Sequence, residues 1–82
     1  MNAKSVAVNL VKYGIIPQGF KESSDLQIED GEVTITENLY VQVGVFEPYL
    51  MLHRWEDDET LEHLGEFTTI SSLANKIKKV TT

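Results

Sequence analysis

This chain of 82 residues carries a formal net charge of −6, is 41% hydrophobic and contains no cysteine. Its length and composition predict one folded domain and exclude long disordered tracts and a disulfide framework, so an intracellular protein is the simpler expectation. No segment has the continuous apolar run of a signal peptide or the roughly 20 apolar residues of a membrane span, and the negative charge opposes non-specific binding to nucleic acids or anionic membranes.

The N-terminal segment predicts an amphipathic helix. From Ala3 to Tyr13, apolar residues recur at helical spacing, and Gly14 is well placed to end the helix in a left-handed conformation. Residues 15–20 then predict an ordered, partly buried connection, and residues 21–25 a surface loop. We therefore expect this helix to bury one stripe against the rest of the domain.

The next segments predict a β-hairpin. Residues 26–29 and 32–35 alternate between apolar and polar side chains, and Asp30-Gly31 between them is a preferred pair for a type I′ turn. A three-residue turn at residues 36–38 would then continue the apolar face into the following strand, whereas a two-residue turn would break it.

The middle of the chain predicts two further strands. Residues 39–46 contain no charge and suit a central strand in which Val41 lies beside Val33. The Glu47-Pro48 pair marks the next reversal, before a strand that ends at Trp55. We expect that reversal to pair Val43 with Leu52.

The C-terminal third predicts a fifth strand and a second helix. The strand is expected over residues 60–67, where Gly65 permits a β-bulge. Thr68 or Thr69 can cap the helix, and lysines near its end suit the negative pole of its dipole. Its apolar stripe consists of Ile70, Leu73, Ala74, Ile77 and Val80.

Together these elements predict an α+β fold: a single two-layer α-β-β-β-β-β-α domain over residues 1–82, with an antiparallel meander sheet and both helices packed on one face. The charges divide along the same line. All thirteen acidic residues lie between Glu22 and Glu66, where Arg54 is the only basic residue, and all six lysines lie outside that stretch. The fold should therefore combine an anionic sheet with cationic helices.

Strict alternation predicts the contents of the sheet face that the helices leave uncovered. We expect Tyr40 to lie beside Trp55 and Gln42 beside His53. Two alternatives remain open: the N-terminal helix or residues 15–20 fold over this face, or its aromatic residues serve only to stabilise strand pairs. The face would comprise Tyr40, Gln42, Gly44 and Phe46 on one strand and Tyr49, Met51, His53 and Trp55 on the next.

The chain offers few candidates for chemistry. His53 and His63 lie on adjacent predicted strands near Asp57 and Asp58, but zinc needs three or four converging ligands, so ordinary surface histidines are the favoured interpretation. The acidic run at residues 56–59 lacks the spacing and glycine of a calcium-binding EF-hand loop. We predict neither a metal nor a cofactor.

Catalytic signatures are also missing from the sequence. It has no cysteine, no Gly-x-Ser-x-Gly motif and no glycine-rich phosphate loop, and its carboxylates fall on turns and strand edges rather than at buried positions. A basic footprint of lysines without arginine, on a chain of net charge −6, is a poor phosphate-binding surface. We therefore expect neither an enzyme nor a direct nucleic-acid binder.

The favoured function is a non-enzymatic interaction module that binds a protein partner, or a second copy of itself, through the aromatic sheet face. Its acidic rim would steer the approach of the partner. The partner-binding residues would be Tyr40, Phe46, Tyr49, Met51, His53 and Trp55, and the rim Asp30, Glu56, Asp57, Asp58 and Glu59.

Two other functions are carried as alternatives. In the first, the acidic middle of the chain imitates a nucleic acid and occupies the basic groove of a nucleic-acid-binding protein. The small acidic α/β build resembles that of small proteins encoded by phages and mobile elements, which suits such a decoy. In the second, His53, His63, Asp57 and Asp58 form a metal or small-ligand site.

Overall fold

The computed structural model describes residues 2–19, 31–44 and 50–82. Its elements in chain order are α1 (Ala3–Lys12), β1 (Glu32–Thr34), β2 (Leu39–Val43), β3 (Leu50–Trp55), β4 (Leu61–Phe67) and α2 (Ile70–Thr81). The described strands form one antiparallel meander in the order β1-β2-β3-β4, and the helices pack against it. This confirms the predicted α+β class. The strand predicted over residues 26–29 lies outside the described residues, as do Asp30, Phe46 and Tyr49.

Helix α1 is closed at both ends by local hydrogen bonds. At its start the Asn2 side chain accepts from the Ser5 backbone N–H at 2.8 Å, and the Asn2 backbone N–H donates to the Ser5 hydroxyl at 3.2 Å. At its end Gly14 has φ of 82°, and the N–H of Ile15 donates to the carbonyl of Leu10 at 3.1 Å. This left-handed turn, which the position of Gly14 predicted, returns the chain so that Ile15 is buried.

Helix α2 begins at the predicted cap. The Thr69 hydroxyl accepts from the Ser72 backbone N–H at 3.2 Å, and Lys78 and Lys79 lie in the last turn, where cations stabilise the negative end of the helix dipole. Leu73, Ala74 and Ile77 are buried. No helix among the described residues is long and apolar enough to cross a membrane.

One apolar core lies between the two helices and one face of the sheet. Buried residues of both helices and of β1, β2 and β3 form a single cluster, so α1 and α2 lie on a common face of the sheet, as predicted. Burial of this face is complete at its centre, where Val41, Leu50 and Leu52 are 0% exposed. The core consists of Ala3, Val6, Ala7, Leu10 and Ile15, of Val33, Ile35, Leu39, Val41, Val43, Leu50 and Leu52, and of Leu73, Ala74 and Ile77.

The pairing of β2 with β3 differs from the predicted register. Val33 pairs with Val41 as expected, but Val43 pairs with Leu50 and not with Leu52. The connection between β2 and β3 is therefore two residues longer than expected. Because side chains alternate with a period of two, this change keeps the described residues of β2 and β3 on their predicted faces and alters only their neighbours.

A β-bulge shapes the pairing of β3 with β4. Leu52 pairs with Gly65 and His53 with His63, so Leu64 is an extra residue on β4. Gly65 has φ of 150°, and a Cβ atom there would lie 3.1 Å from the Phe67 ring, so any other residue would be strained at this position. Without the bulge, Leu64 would lie opposite His53. The bulge that Gly65 predicted therefore brings the two histidines together.

Candidate interaction face

The sheet face opposite the core is called the outer face here. None of the helices in the described part of the chain packs on it, since the buried residues of both belong to the core on the other side. The face combines apolar, aromatic, imidazole and carboxylate side chains. From β1 to β4 it comprises Glu32, Thr34, Tyr40, Gln42, Met51, His53, Trp55, Leu61, His63 and Glu66.

An exposed apolar pair lies at one end of the outer face. Trp55 and Leu61 are cross-strand partners, and they remain 40% and 42% exposed. Tyr40, Met51 and His53 on the same face are partly exposed. Large apolar side chains that remain in contact with solvent as neighbours are typical of contact surfaces rather than of scattered surface residues.

Three rings form a ladder across the centre of the face. The ring centroids of Tyr40 and His53 are 5.2 Å apart, and those of His53 and His63 are 4.9 Å apart. This arrangement corrects two predicted cross-strand pairs: Tyr40 pairs with His53, not with Trp55, and Gln42 pairs with Met51, not with His53. The cause is the two-residue change of register between β2 and β3. The Gln42 side chain nevertheless reaches His53 diagonally, with Oε1 of Gln42 3.2 Å from Nε2 of His53.

Two residues of the ladder have pKa values shifted by their surroundings. Burial, followed by the nearby His63, lowers the pKa of His53 from its ordinary value of 6.5, while Glu32 acts in the opposite direction. Burial and the carboxylate of Glu32 raise the pKa of Tyr40. Tyr40 is therefore a neutral phenol at physiological pH, available as a hydrogen-bond donor and as an aromatic surface.

Trp55 stands between two acid-lined hollows. Its backbone N–H donates to the carbonyl of Asn38 at 2.7 Å, which ties the end of β3 to the turn that precedes β2. One hollow, of about 210 Å³, is lined by Glu32, Thr34, Thr36, Glu37, Asn38, Leu39, Tyr40 and Trp55. The other, of about 390 Å³, is lined by Glu37, Asn38, Trp55, Glu56, Asp57 and Asp58.

The acidic tip between β3 and β4 is held by one of its own carboxylates. Asp57 accepts hydrogen bonds from the backbone N–H groups of Glu59 and Thr60 at 2.8 and 2.7 Å, and from the Thr60 hydroxyl at 3.2 Å. These bonds, led by that from Glu59, lower the pKa of Asp57. Asp57 therefore stays ionised and fixes the conformation of the tip, which positions the neighbouring acids.

The single arginine lies on the other side of the sheet. Arg54 donates to the carboxylate of Glu62 at 2.8 Å, and this bond, together with a contact from Glu56, lowers the pKa of Glu62. Arg54 thus has a carboxylate partner of its own on the helix side.

The structure resolves part of the histidine hypothesis. His53 and His63 converge, with their Nδ1 atoms 3.4 Å apart, which the sequence alone left undecided. Asp57 and Asp58 do not join them: within residues 2–19, 31–44 and 50–82, no group of three or more His, Cys, Asp or Glu side chains could hold a metal ion. The four-residue site is therefore not formed.

Several residues of this region were not predicted from the sequence as part of the interaction face or its rim. Leu61 and Glu66 follow from the alternation of β4 once the bulge is placed, and Glu32 follows from its pairing with Gln42. Glu37 lies in the turn before β2 and lines both hollows. The signal for Glu32 and Leu61 was strand alternation, whereas Glu37 carried no pattern that would place it beside Trp55.

Comparison with known proteins supplies no family. No protein-family model matches the chain, and no curated protein or solved structure is significantly similar to it.

Proposed function

We propose that the protein is a non-enzymatic interaction module that binds a protein partner through the outer face, with basic side chains of the partner entering the hollows beside Trp55. The observation that carries the proposal is Trp55 itself. It is 40% exposed, its backbone is bonded to Asn38 at the end of β3, and it forms a wall of both acid-lined hollows. Tryptophan is frequently an energetic centre of protein interfaces.

The apolar part of the face supports contact with protein. Trp55, Leu61, Met51 and Tyr40 lie on three adjacent strands. Tryptophan, tyrosine and methionine are enriched in interface cores, and the two aromatic residues bury large areas at a small cost in side-chain entropy. Removing the remaining exposed area of these residues from water would favour association at about 25 cal/mol per Å² of apolar surface.

The composition of the smaller hollow supports a cationic contact. Tyr40 and Trp55 provide aromatic surfaces, and Glu32 and Glu37 provide carboxylates in the same hollow. A lysine or arginine side chain in such a site would contact ring faces and carboxylates at once, and each cation–π contact contributes about 0.5–2 kcal/mol. The acidic tip would extend the attraction beyond contact distance and accelerate encounter.

The same charges favour a separate partner over a second copy of the chain. Two outer faces apposed to each other would bring their carboxylates, including Glu32 and Glu66, into one interface. Like charges at an interface oppose association unless they are neutralised. Self-association through this face is the alternative outcome of the experiment below.

The test is selection from a random peptide library with the whole protein, followed by titration of Trp55 fluorescence with the selected peptides. We expect lysine- or arginine-containing peptides to perturb the fluorescence. Acetyl-lysine or citrulline versions should bind at least tenfold more weakly. Glu37→Gln should weaken binding, whereas Val8→Ala, which shortens an exposed residue of α1, should leave it unchanged.

The proposal is wrong if the neutral peptides bind equally well, or if Trp55→Ala leaves the affinity of a labelled peptide unchanged. Sedimentation of the protein at two concentrations completes the experiment. A mass that rises to that of a dimer, and returns to that of a monomer in Trp55→Ala, would assign the face to self-association instead.

The acidic decoy is the second candidate function. It is supported by the second hollow, where Glu56, Asp57 and Asp58 stand together and Asp57 is held ionised by its turn. A decoy would bind the basic groove of a nucleic-acid-binding protein through charge, so salt should weaken binding steeply and Trp55→Ala should change it little. For the interaction module we expect the reverse: Trp55→Ala should weaken binding strongly, and salt should weaken it less.

A further inference from the structure

The histidine pair at the centre of the outer face has an unusual arrangement of ring nitrogens. The Nδ1 atoms of His53 and His63 face each other at 3.4 Å across β3 and β4. Each ring also directs its other nitrogen toward an oxygen. Nε2 of His53 lies 3.2 Å from Oε1 of Gln42, and Nε2 of His63 lies 4.0 Å from Oε1 of Glu66.

These oxygens determine where the protons of the neutral rings reside. A neutral imidazole carries one N–H and one lone pair, and the nitrogen that faces an acceptor keeps the hydrogen. The bond to Gln42 directs His53 toward the Nε2–H tautomer, which leaves its Nδ1 lone pair facing Nδ1 of His63. At 3.4 Å the two Nδ1 atoms can share either a proton, as a hydrogen bond, or a metal ion that both lone pairs coordinate.

The spacing of the two Nδ1 atoms fits a transition-metal ion. Zinc–nitrogen bonds of about 2.0–2.1 Å at a tetrahedral angle separate two ligand nitrogens by about 3.3–3.4 Å. The observed separation is 3.4 Å, so small ring rotations would direct both lone pairs at one ion. We propose that His53 and His63 form a two-histidine binding site for a divalent ion of the zinc, nickel or copper class.

Two features of the fold prepare this site. The bulge at Leu64 and Gly65 sets His63 directly opposite His53, so both ligands are held on adjacent strands of the sheet. Oxygen partners on the second nitrogen are typical of metal-binding histidines, because they fix the tautomer and the orientation of the ring. Glu66 also contributes negative charge, which favours a cation.

The proposed site differs from the four-residue site expected from the sequence, because it uses neither Asp57 nor Asp58. Two protein ligands leave the other coordination positions to water or to groups from another molecule. Metal binding here does not require the partner proposed above, since both protein ligands belong to one chain.

The test uses Cu²⁺ as the probe and Trp55 as the reporter. Trp55 is the only tryptophan of the chain and lies two positions from His53 on the same face of β3, so a bound copper ion should quench its fluorescence. We expect saturable quenching with one equivalent of ion. His53→Gln and His63→Gln should each weaken binding by more than tenfold, and Glu66→Gln by on the order of tenfold.

Asp58→Asn is the matched control, since Asp58 lies in the hollow beside Trp55 and could bind copper without the histidines. Equal affinity in His63→Gln, or an affinity lost in Asp58→Asn but kept in both histidine variants, would overturn the proposal. Circular dichroism of each variant shows whether the fold is retained.

A measurement on the unsubstituted protein gives an independent result. With one equivalent of Zn²⁺, nitrogen-15 NMR should show both Nδ1 resonances shifting while both Nε2 atoms remain protonated. A shift at a single ring, or none, would overturn the two-histidine site. Because this sample contains no peptide or partner, the NMR result can support or overturn the metal site whatever the peptide experiment shows.

Discussion

The two faces of the sheet differ in how the sequence specifies them. On the helix side, Val41, Leu50 and Leu52 are buried against two helices, and their burial depends only on alternation. On the outer face, the function of a residue depends on its neighbours, and these depend on the register of each strand pair. A change of two residues between β2 and β3 leaves the core intact but gives Tyr40 a different partner. In this sequence, strand alternation therefore predicts which residues are buried more reliably than it predicts which residues are cross-strand neighbours.

The largest expected effect on stability is the difference between two Leu→Ala variants, one on each face of the sheet. Leu52 is 0% exposed and Leu61 is 42% exposed, so Leu→Ala removes the same atoms from opposite environments. Leu52→Ala should lower the free energy of unfolding by about 2–5 kcal/mol, because it leaves a cavity in the core. Leu61→Ala should lower it by less than about 1 kcal/mol. Urea denaturation of both variants measures the difference.

Equal losses in the two variants would contradict this division of the sheet, because they would mean that Leu61 is covered in solution. Met51→Ala, on the same strand as Leu52 but facing outward, is a further control for substitution within β3.

A second prediction concerns the bulge that links the two faces. Gly65 has φ of 150°, and a Cβ atom would meet the Phe67 ring at 3.1 Å. Gly65→Ala should lower the free energy of unfolding by about 1–3 kcal/mol, because alanine does not adopt this conformation without strain. If β4 relaxes by losing the bulge, nuclear Overhauser effects between His53 and His63 should weaken.

Glu66→Ala is the neighbouring control, since it changes an outer-face side chain in the same strand without touching the bulge backbone. A Gly65→Ala variant as stable as this control, with the histidine contact retained, would show that the bulge does not depend on glycine.

The parts of the fold that could be predicted are those set by nearby residues. The stripe of α2, its cap at Thr69 and the left-handed turn at Gly14 are local patterns, and all three are present. The pairing of Val33 with Val41 was also predictable, because the turn between their strands is short. In each case a few consecutive residues determine the geometry.

The register of β2 with β3 could not be predicted in the same way. Pairing Val43 with Leu50 or with Leu52 buries the same apolar residues, so hydrophobic alternation does not distinguish the two. The convergence of His53 and His63 depends on where the extra residue of β4 falls. Gly65 indicated that a bulge was permitted there, but not which residue would face His53. The buried core residues could therefore be predicted from the sequence, whereas the contacts of the candidate site could be found only from the three-dimensional structure.

The smallest expected effect is a shift in the pKa of His53, which tests whether His53 and His63 are in contact on the outer face. Burial and the proximity of His63 lower the pKa of His53 below 6.5, so the folded protein binds this proton more weakly than the unfolded chain does. The resulting contribution to stability is present above pH 6.5 and is lost as the pH falls through the lowered pKa of His53. His63→Gln removes one of the two causes and should raise the pKa of His53 toward its ordinary value, in a buffer that contains a chelator. NMR titration of the His53 ring measures this shift. Tyr40→Phe, which retains the neighbouring aromatic ring, should leave the pKa nearly unchanged. If the pKa of His53 is the same with and without His63, then the two rings are not neighbours in solution, and the outer face has a different register from the one described.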